Sequence, residues 1–161
     1  KYVESDLTFL EIKFKNNKKR TVKNRMIVPG IESSLSEDSA HFINGISGID
    51  YEVLNVLRND FSRITLVNEE LQERLTLDMS LKFQAFGEVA EMGDVLICEL
   101  KQEKAKRNSP FLSAVKNHIH RPMRISKYCM GIAMLKEGVK KNNFKENLLI
   151  LEKFNDDSRV A

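Results

Sequence analysis

A chain of 161 residues with 42% hydrophobic and 30% charged side chains fits one soluble domain with a real core. A net charge of +3 is too small for a general nucleic-acid coat, although acids elsewhere in the chain leave room for a local basic pocket. Two cysteines make no disulfide framework, no apolar run approaches the ~20 residues of a membrane span, and no secretory leader is read, so a cytoplasmic setting is expected.

In chain order, residues 7–15 and 20–28 alternate with a period of two on either side of "NNKK", which predicts an antiparallel hairpin. Leu10, Ile12 and Phe14 share one side of its first strand and Glu11, Lys13 and Lys15 the other. Thr21, Lys23 and Arg25 share a face of the second strand. Between 31 and 49, Ser36 suits a helix N-cap with acids in the following turn, and Gly45 and Gly48 are stops, giving one or two short helices. Residues 51–57 fit helix and strand equally.

Strands are expected at 61–67, 71–83 and 94–101. In the second of these every odd position is apolar except Glu73 and every even one is polar. In the third, Leu96, Cys98 and Leu100 oppose Glu99 and Lys101. The remainder is helical over about 109–154. After the loop "KAKRN", Ser109-Pro110 forms an N-cap and first helical position, and "FLSAVKNHIH" runs to Pro122. A second helix starts after Ser126 and ends at Gly138, and "FKENLLILEKF" makes an amphipathic third. No repeat or linker divides the chain, so a single domain over 1–161 is expected.

The polar faces carry the chemistry. Lys13, Lys23, Arg25, Arg63, Arg74 and Lys101 place a cation on each of five strands, with Glu11 and Glu99 among them. A solvated face accounts for any one such strand, but five with the same decoration argue for more. Arg forks and Lys point charges converging from several strands suit a polyanion rich in phosphate oxygens. A carboxylate among them suits a divalent metal that bridges phosphates. Other candidates are thin. His118 and His120 sit two apart on a helix and do not share a face, His41 stands alone, and no P-loop, GxGxxG or HExxH occurs. Asp78 is expected to pair with Arg74 four residues before it, the two cysteines to be buried thiols, and Phe9, Phe61, Phe83, Phe86 and Phe111 to be core.

"FLEIKFKNNKKRTVKNR", "FSRITLVNEELQERLTLD", "VLICELKQ" and "RISKYCMGIAML" follow one another in this order. Together they resemble the polyphosphate polymerase domain of the vacuolar transporter chaperone (VTC) family, within the CYTH-like superfamily of triphosphate tunnel metalloenzymes. The resemblance covers roughly residues 1–137. Its most specific parts are R-x-T-x-D at Arg74, Thr76 and Asp78, and S-K-Y at Ser126–Tyr128.

The resemblance implies an α+β fold, an antiparallel β tunnel with basic side chains inside and helices outside. It implies phosphate-binding roles for Lys13, Lys23, Arg25, Arg63 and Arg74, with Lys101 beside Glu99, and for Arg124 and Lys127 as a basic pair near the end of the barrel. Glu99 matches the carboxylate that holds a divalent Mn or Mg ion, with Glu11 a second candidate. ATP and inorganic polyphosphate are the implied partners, and transfer of the ATP γ-phosphate onto a polyphosphate chain the implied activity, with no protein nucleophile. Family members carry a further N-terminal helix and a strand pair rich in Arg and Lys. Because this chain begins at Lys1, those strands are expected to lie upstream and the tunnel here to be incomplete. A triphosphatase of the same superfamily, a non-catalytic polyphosphate- or nucleotide-binding module, and a domain whose basic face is only solvated are the competing readings.

Overall fold

A computed structural model of the chain describes residues 4–18, 20–50, 52–103, 108–118 and 122–157, with side chains as far as 153. The expected loop at 104–107, His120 and the tail beyond 157 lie outside the described residues. The chain divides into two compact units, Lys1–Asn55 and Val56–Ala161. The fold is α+β with antiparallel sheets.

In the first unit the period-two alternation becomes strands β1 (Thr8–Lys15) and β2 (Thr21–Val28), paired antiparallel with Glu11 opposite Arg25 and Lys13 opposite Lys23. The turn is fixed by Asn16, whose Oδ1 accepts from the backbone N–H of Lys18 at 3.1 Å and of Arg20 at 3.0 Å. A single helix α1 (Glu37–Ser47) follows. Ser36 caps it by accepting from the Ser39 N–H at 3.2 Å, and Gly48 ends it at φ 68°, a conformation glycine adopts without strain. Gly45, expected as a stop, lies inside the helix.

The second unit is built on β4 (Glu73–Ala85). Strand β3 (Arg58–Asn68) pairs along one edge of it. The other edge is shared by β6 (Ile97–Gln102), against Glu73–Asp78, and β5 (Glu88–Glu91), against Lys82–Ala85. Strand β5 was not expected. Its signal is Phe86-Gly87, where both residues have positive φ (55° and 81°), the geometry of a two-residue hairpin turn.

The alternation of β4 conceals a break. Asp60 pairs with Lys82 and Ser62 with Met79, so Ser80 and Leu81 together oppose the single residue Phe61. Ser80 takes φ 54° at this bulge. An extra residue reverses the phase of everything beyond it. Before the bulge the even residues Thr76 and Asp78 are buried, and after it the odd residues Leu81 and Phe83 are. An unbroken odd–even sequence therefore puts polar Arg74, Thr76 and Asp78 on the same face as the apolar core.

That face is covered by helix α3 (Lys127–Leu135), capped by Ser126 accepting from the Cys129 N–H. Met130 is fully buried against Leu81, Phe83, Met92 and Ile97, with Leu151 of α4 (Lys145–Asp157) completing the cluster. Gly131 lets the helix approach closely: a Cβ there would lie 2.7 Å from Phe83 Cδ1. Helix α2 (Pro110–Asn117) begins as expected at Ser109-Pro110. Ser109 accepts from the Leu112 N–H and donates to Glu73 at 3.2 Å, which accounts for the one acid among the odd positions of β4.

Two expectations are corrected here. Cys98 is exposed, because it lies with Leu100 on the sheet face turned away from α3, and Cys129, on α3 itself, is half-buried. Of the five phenylalanines only Phe83 is fully buried. Phe86 stands in the hairpin turn, and Phe9 and Phe61 lie under cations. No helix among the described residues is long and apolar enough to cross a membrane.

Candidate functional site

The hairpin of the first unit gathers three cations on one carboxylate. Cross-strand partners project from the same face, and residues two apart on a strand share it. Glu11, Lys13, Lys23 and Arg25 therefore stand together. Glu11 takes Lys13 Nζ at 2.7 Å on one oxygen, and Lys23 Nζ at 2.8 Å and the Arg25 guanidinium on the other. Partial burial alone would raise the Glu11 pKa, but the hydrogen bonds from Lys13, Lys23 and Arg25 outweigh it and hold it at about 2. The Arg25 guanidinium also lies 5.3 Å from the Phe9 ring centre.

The second unit builds a different arrangement. Arg63 lies opposite Asp78, Arg74 opposite Lys101, and Thr76 opposite Glu99, so all six share the face that α3 covers in part. Asp78 is 1% exposed. Its carboxylate accepts from Arg63 Nε at 2.5 Å and Nη2 at 2.8 Å, a two-point fork, and from the Lys127 ammonium at the start of α3. Burial pushes the Asp78 pKa up, yet the bonds from Arg63 and Lys127 bring it below the ordinary carboxylate value. Phe61 completes the group, with its ring centre 5.0 Å from the Arg63 guanidinium carbon and 4.8 Å from Lys127 Nζ.

The expected Arg74–Asp78 pair does not form. Four residues along a strand span about 13 Å, whereas a residue directly across the ladder is about 5 Å away. The i, i+4 proximity belongs to helices. Arg74 is exposed and has no carboxylate partner among the described residues, while Lys101 and Glu99 pair at 3.3 Å on the open part of the face. Arg124 is exposed in the segment leading into α3, where its backbone oxygen accepts from Asn147 Nδ2 at 2.8 Å. Thus Arg63, Arg74, Lys101, Glu99 and Lys127 are brought to one sheet face, and Lys13, Lys23, Arg25 and Glu11 to one hairpin face.

Comparison with family profiles matches residues 1–136 to the VTC domain. The chain belongs to the VTC domain family. That places it in polyphosphate-related biology and agrees with a CYTH-like fold. Comparisons with curated proteins and with solved structures gave no significant match.

Within this VTC domain the carboxylates differ in their fitness for a divalent ion. No group of three or more His, Cys, Asp or Glu converges among the described residues, so a metal held by one of these carboxylates would need further ligands from elsewhere. Glu99 suits such a role, since it is half-exposed and paired with one lysine; Mg²⁺ and similar ions commonly take one or two carboxylates plus phosphate oxygens. At Glu11 an ion would have to displace cations from both oxygens. Sequence reasoning gave Asp78 an arginine partner but the wrong one, placed Phe61 in the core where it lies under two cations, and assigned Thr76 no burial. Thr76 is 4% exposed, and its hydroxyl has no hydrogen-bond partner among the described residues. The R-x-T-x-D spacing marked both Asp78 and Thr76, but without the bulge neither could be read as buried.

Proposed function

We propose that this VTC domain is a metal-dependent polyphosphate polymerase, moving the γ-phosphate of ATP onto the end of an inorganic polyphosphate chain. The observation that carries the reading is the gathering of Arg63, Arg74, Lys101, Lys127 and Glu99 on one sheet face in a chain matched to this family over 1–136. In the reaction a terminal oxygen of the chain bonds to the γ-phosphorus. The bond from that phosphorus to the β–γ bridging oxygen breaks, and ADP leaves. Little covalent chemistry is asked of the protein, and alignment with charge neutralisation does most of the work. Arg63 and Lys127 hold one phosphate group, Arg74 and Lys101 lie further along the same face to hold its neighbours, and Lys13, Lys23 and Arg25 bind phosphate on the hairpin. A divalent Mn or Mg ion, when bound, offsets charge on phosphate oxygens, and Glu99 is the residue to hold it.

Incubation with ATP and Mn²⁺, followed by gel analysis of polyphosphate length and by phosphate release, tests the proposal. Lengthening chains with stoichiometric ADP are the expected result. Release of free phosphate without chain growth would transfer the assignment to a triphosphatase, and saturable binding of tripolyphosphate without turnover to a binding module.

A further inference from the structure

Asp78 is the most completely buried acid in the described chain, and it holds side chains from two separate elements, Arg63 of β3 and Lys127 of α3. Three features set the arrangement apart from an ordinary core ion pair. The two-point fork fixes the plane of the Arg63 guanidinium through its Nε/Nη2 edge, so its Nη1 side faces away from Asp78. Both cations rest on the same Phe61 ring, which limits their movement in a second direction. Lys127 is the first residue of α3, where the helix dipole disfavours a cation, and the Asp78 carboxylate offsets that cost. A local preference broken at this position, with a buried acid placed to compensate, is what function leaves in a sequence.

We infer that Asp78 is a positioning residue that clamps Arg63 and Lys127 into one preorganised phosphate-binding pair; this rests on the phosphate-binding reading above. The acid does not touch phosphate. It removes the freedom of two long side chains before the ligand arrives, so that binding does not have to order them. Its lowered pKa keeps it ionised through the neutral range.

The sign of one affinity change separates this role from its rivals. Isothermal titration of the full chain with tripolyphosphate, at low and moderate salt, is compared for the parent, Asp78→Asn and Asp78→Glu, each with its melting temperature. Asp78→Asn takes a negative charge away from an anion site, so electrostatics alone predicts tighter binding. Positioning predicts binding weaker by about tenfold, since small misplacements of ligating groups carry large penalties. Asp78→Glu keeps the charge and the ion pair, and thereby the fold if Asp78→Asn does not survive. Its extra methylene displaces both cations, and a loss of about tenfold is expected there too. Tighter binding by Asp78→Asn would show that Asp78 competes with phosphate for the cations. Parental affinity in the folded Asp78→Glu protein would make the acid a purely structural partner. Either result overturns the inference alone. Absence of tripolyphosphate binding by the parent chain overturns the phosphate-binding reading and the inference with it.

Discussion

Replacing Gly131 by alanine tests whether α3, and with it Lys127, is seated as described. The added Cβ would stand 2.7 Å from Phe83 Cδ1, 2.9 Å from Leu57 Cδ2 and 3.0 Å from Phe83 Cγ. Comfortable carbon–carbon contacts are about 3.5–4.0 Å, so the helix or the ring must retreat by close to 1 Å. Phe83 is 0% exposed and packed by Leu81, Met92 and Met130, so retreat disturbs the core. Overpacking of this kind costs about 1–3 kcal/mol, while alanine in place of glycine inside a helix returns about 1 kcal/mol. The net expectation is a loss of about 1 kcal/mol, read as a fall of roughly 2–4 °C in Tm for a chain of this size. Thermal and urea melts followed by circular dichroism measure it. A double-mutant cycle with Phe83→Leu, which removes the opposing ring atoms, should give a coupling of about 0.5–3 kcal/mol in the favourable direction. A rise in Tm for Gly131→Ala, or additive single changes, would refute the close seating of α3 on Phe83.

Glu11→Gln should lower stability at neutral pH by about 1 kcal/mol, since its partner cations are largely exposed and screened. Because the folded Glu11 pKa is depressed from 4.5 to about 2, that difference is full above pH 4.5 and disappears as pH falls through about 2; a gap that persists at pH 2 in acid titrations of both proteins contradicts the pairing. Ser109→Ala removes the cap of α2 and the donor to buried Glu73, with an expected cost of about 1–2 kcal/mol in urea unfolding, and an unchanged midpoint counts against the staple. Arg74→Ala should leave stability within about 0.5 kcal/mol of the parent yet weaken tripolyphosphate binding by about tenfold, a split that calorimetry and melting together can deny. Glu99→Gln should retain tripolyphosphate binding and lose most Mn²⁺-dependent turnover, and parental turnover in that variant would reassign Glu99 as a partner of Lys101 alone.

Local rules carried much of the fold. The hairpin needs only a period of two and an Asn turn, and both lie within a few residues. Ser36 and Ser109 cap the helices they were expected to cap, and α3 starts after Ser126 as expected, because a cap is a contact over three residues. Family membership was also legible, since it rests on the order of short motifs. The composition of the basic faces was visible for the same reason: side chains two apart on one strand share a side wherever the strand is placed.

The partnerships of those charges belong to the tertiary structure. The sequence of β4 alternates without interruption, and nothing in its pattern announces the bulge at Ser80. A single inserted residue changes which face each later side chain takes, and it is set by strand pairing with β3, not by β4 itself. That reversal buries Thr76 and Asp78, puts Arg74 and Glu99 on the same sheet face as the core that α3 covers, and leaves Cys98 exposed on the far side. The choice of Arg63 and Lys127 for Asp78 needs contacts over 15 and 49 residues of chain. Those separations are closed only when β3 lies beside β4 and α3 packs across Phe83. The sequence by itself determined which charges the chain carries and the local elements that carry them. Only folding decided which cations stand on Asp78, because that depends on distances between elements that no local pattern encodes.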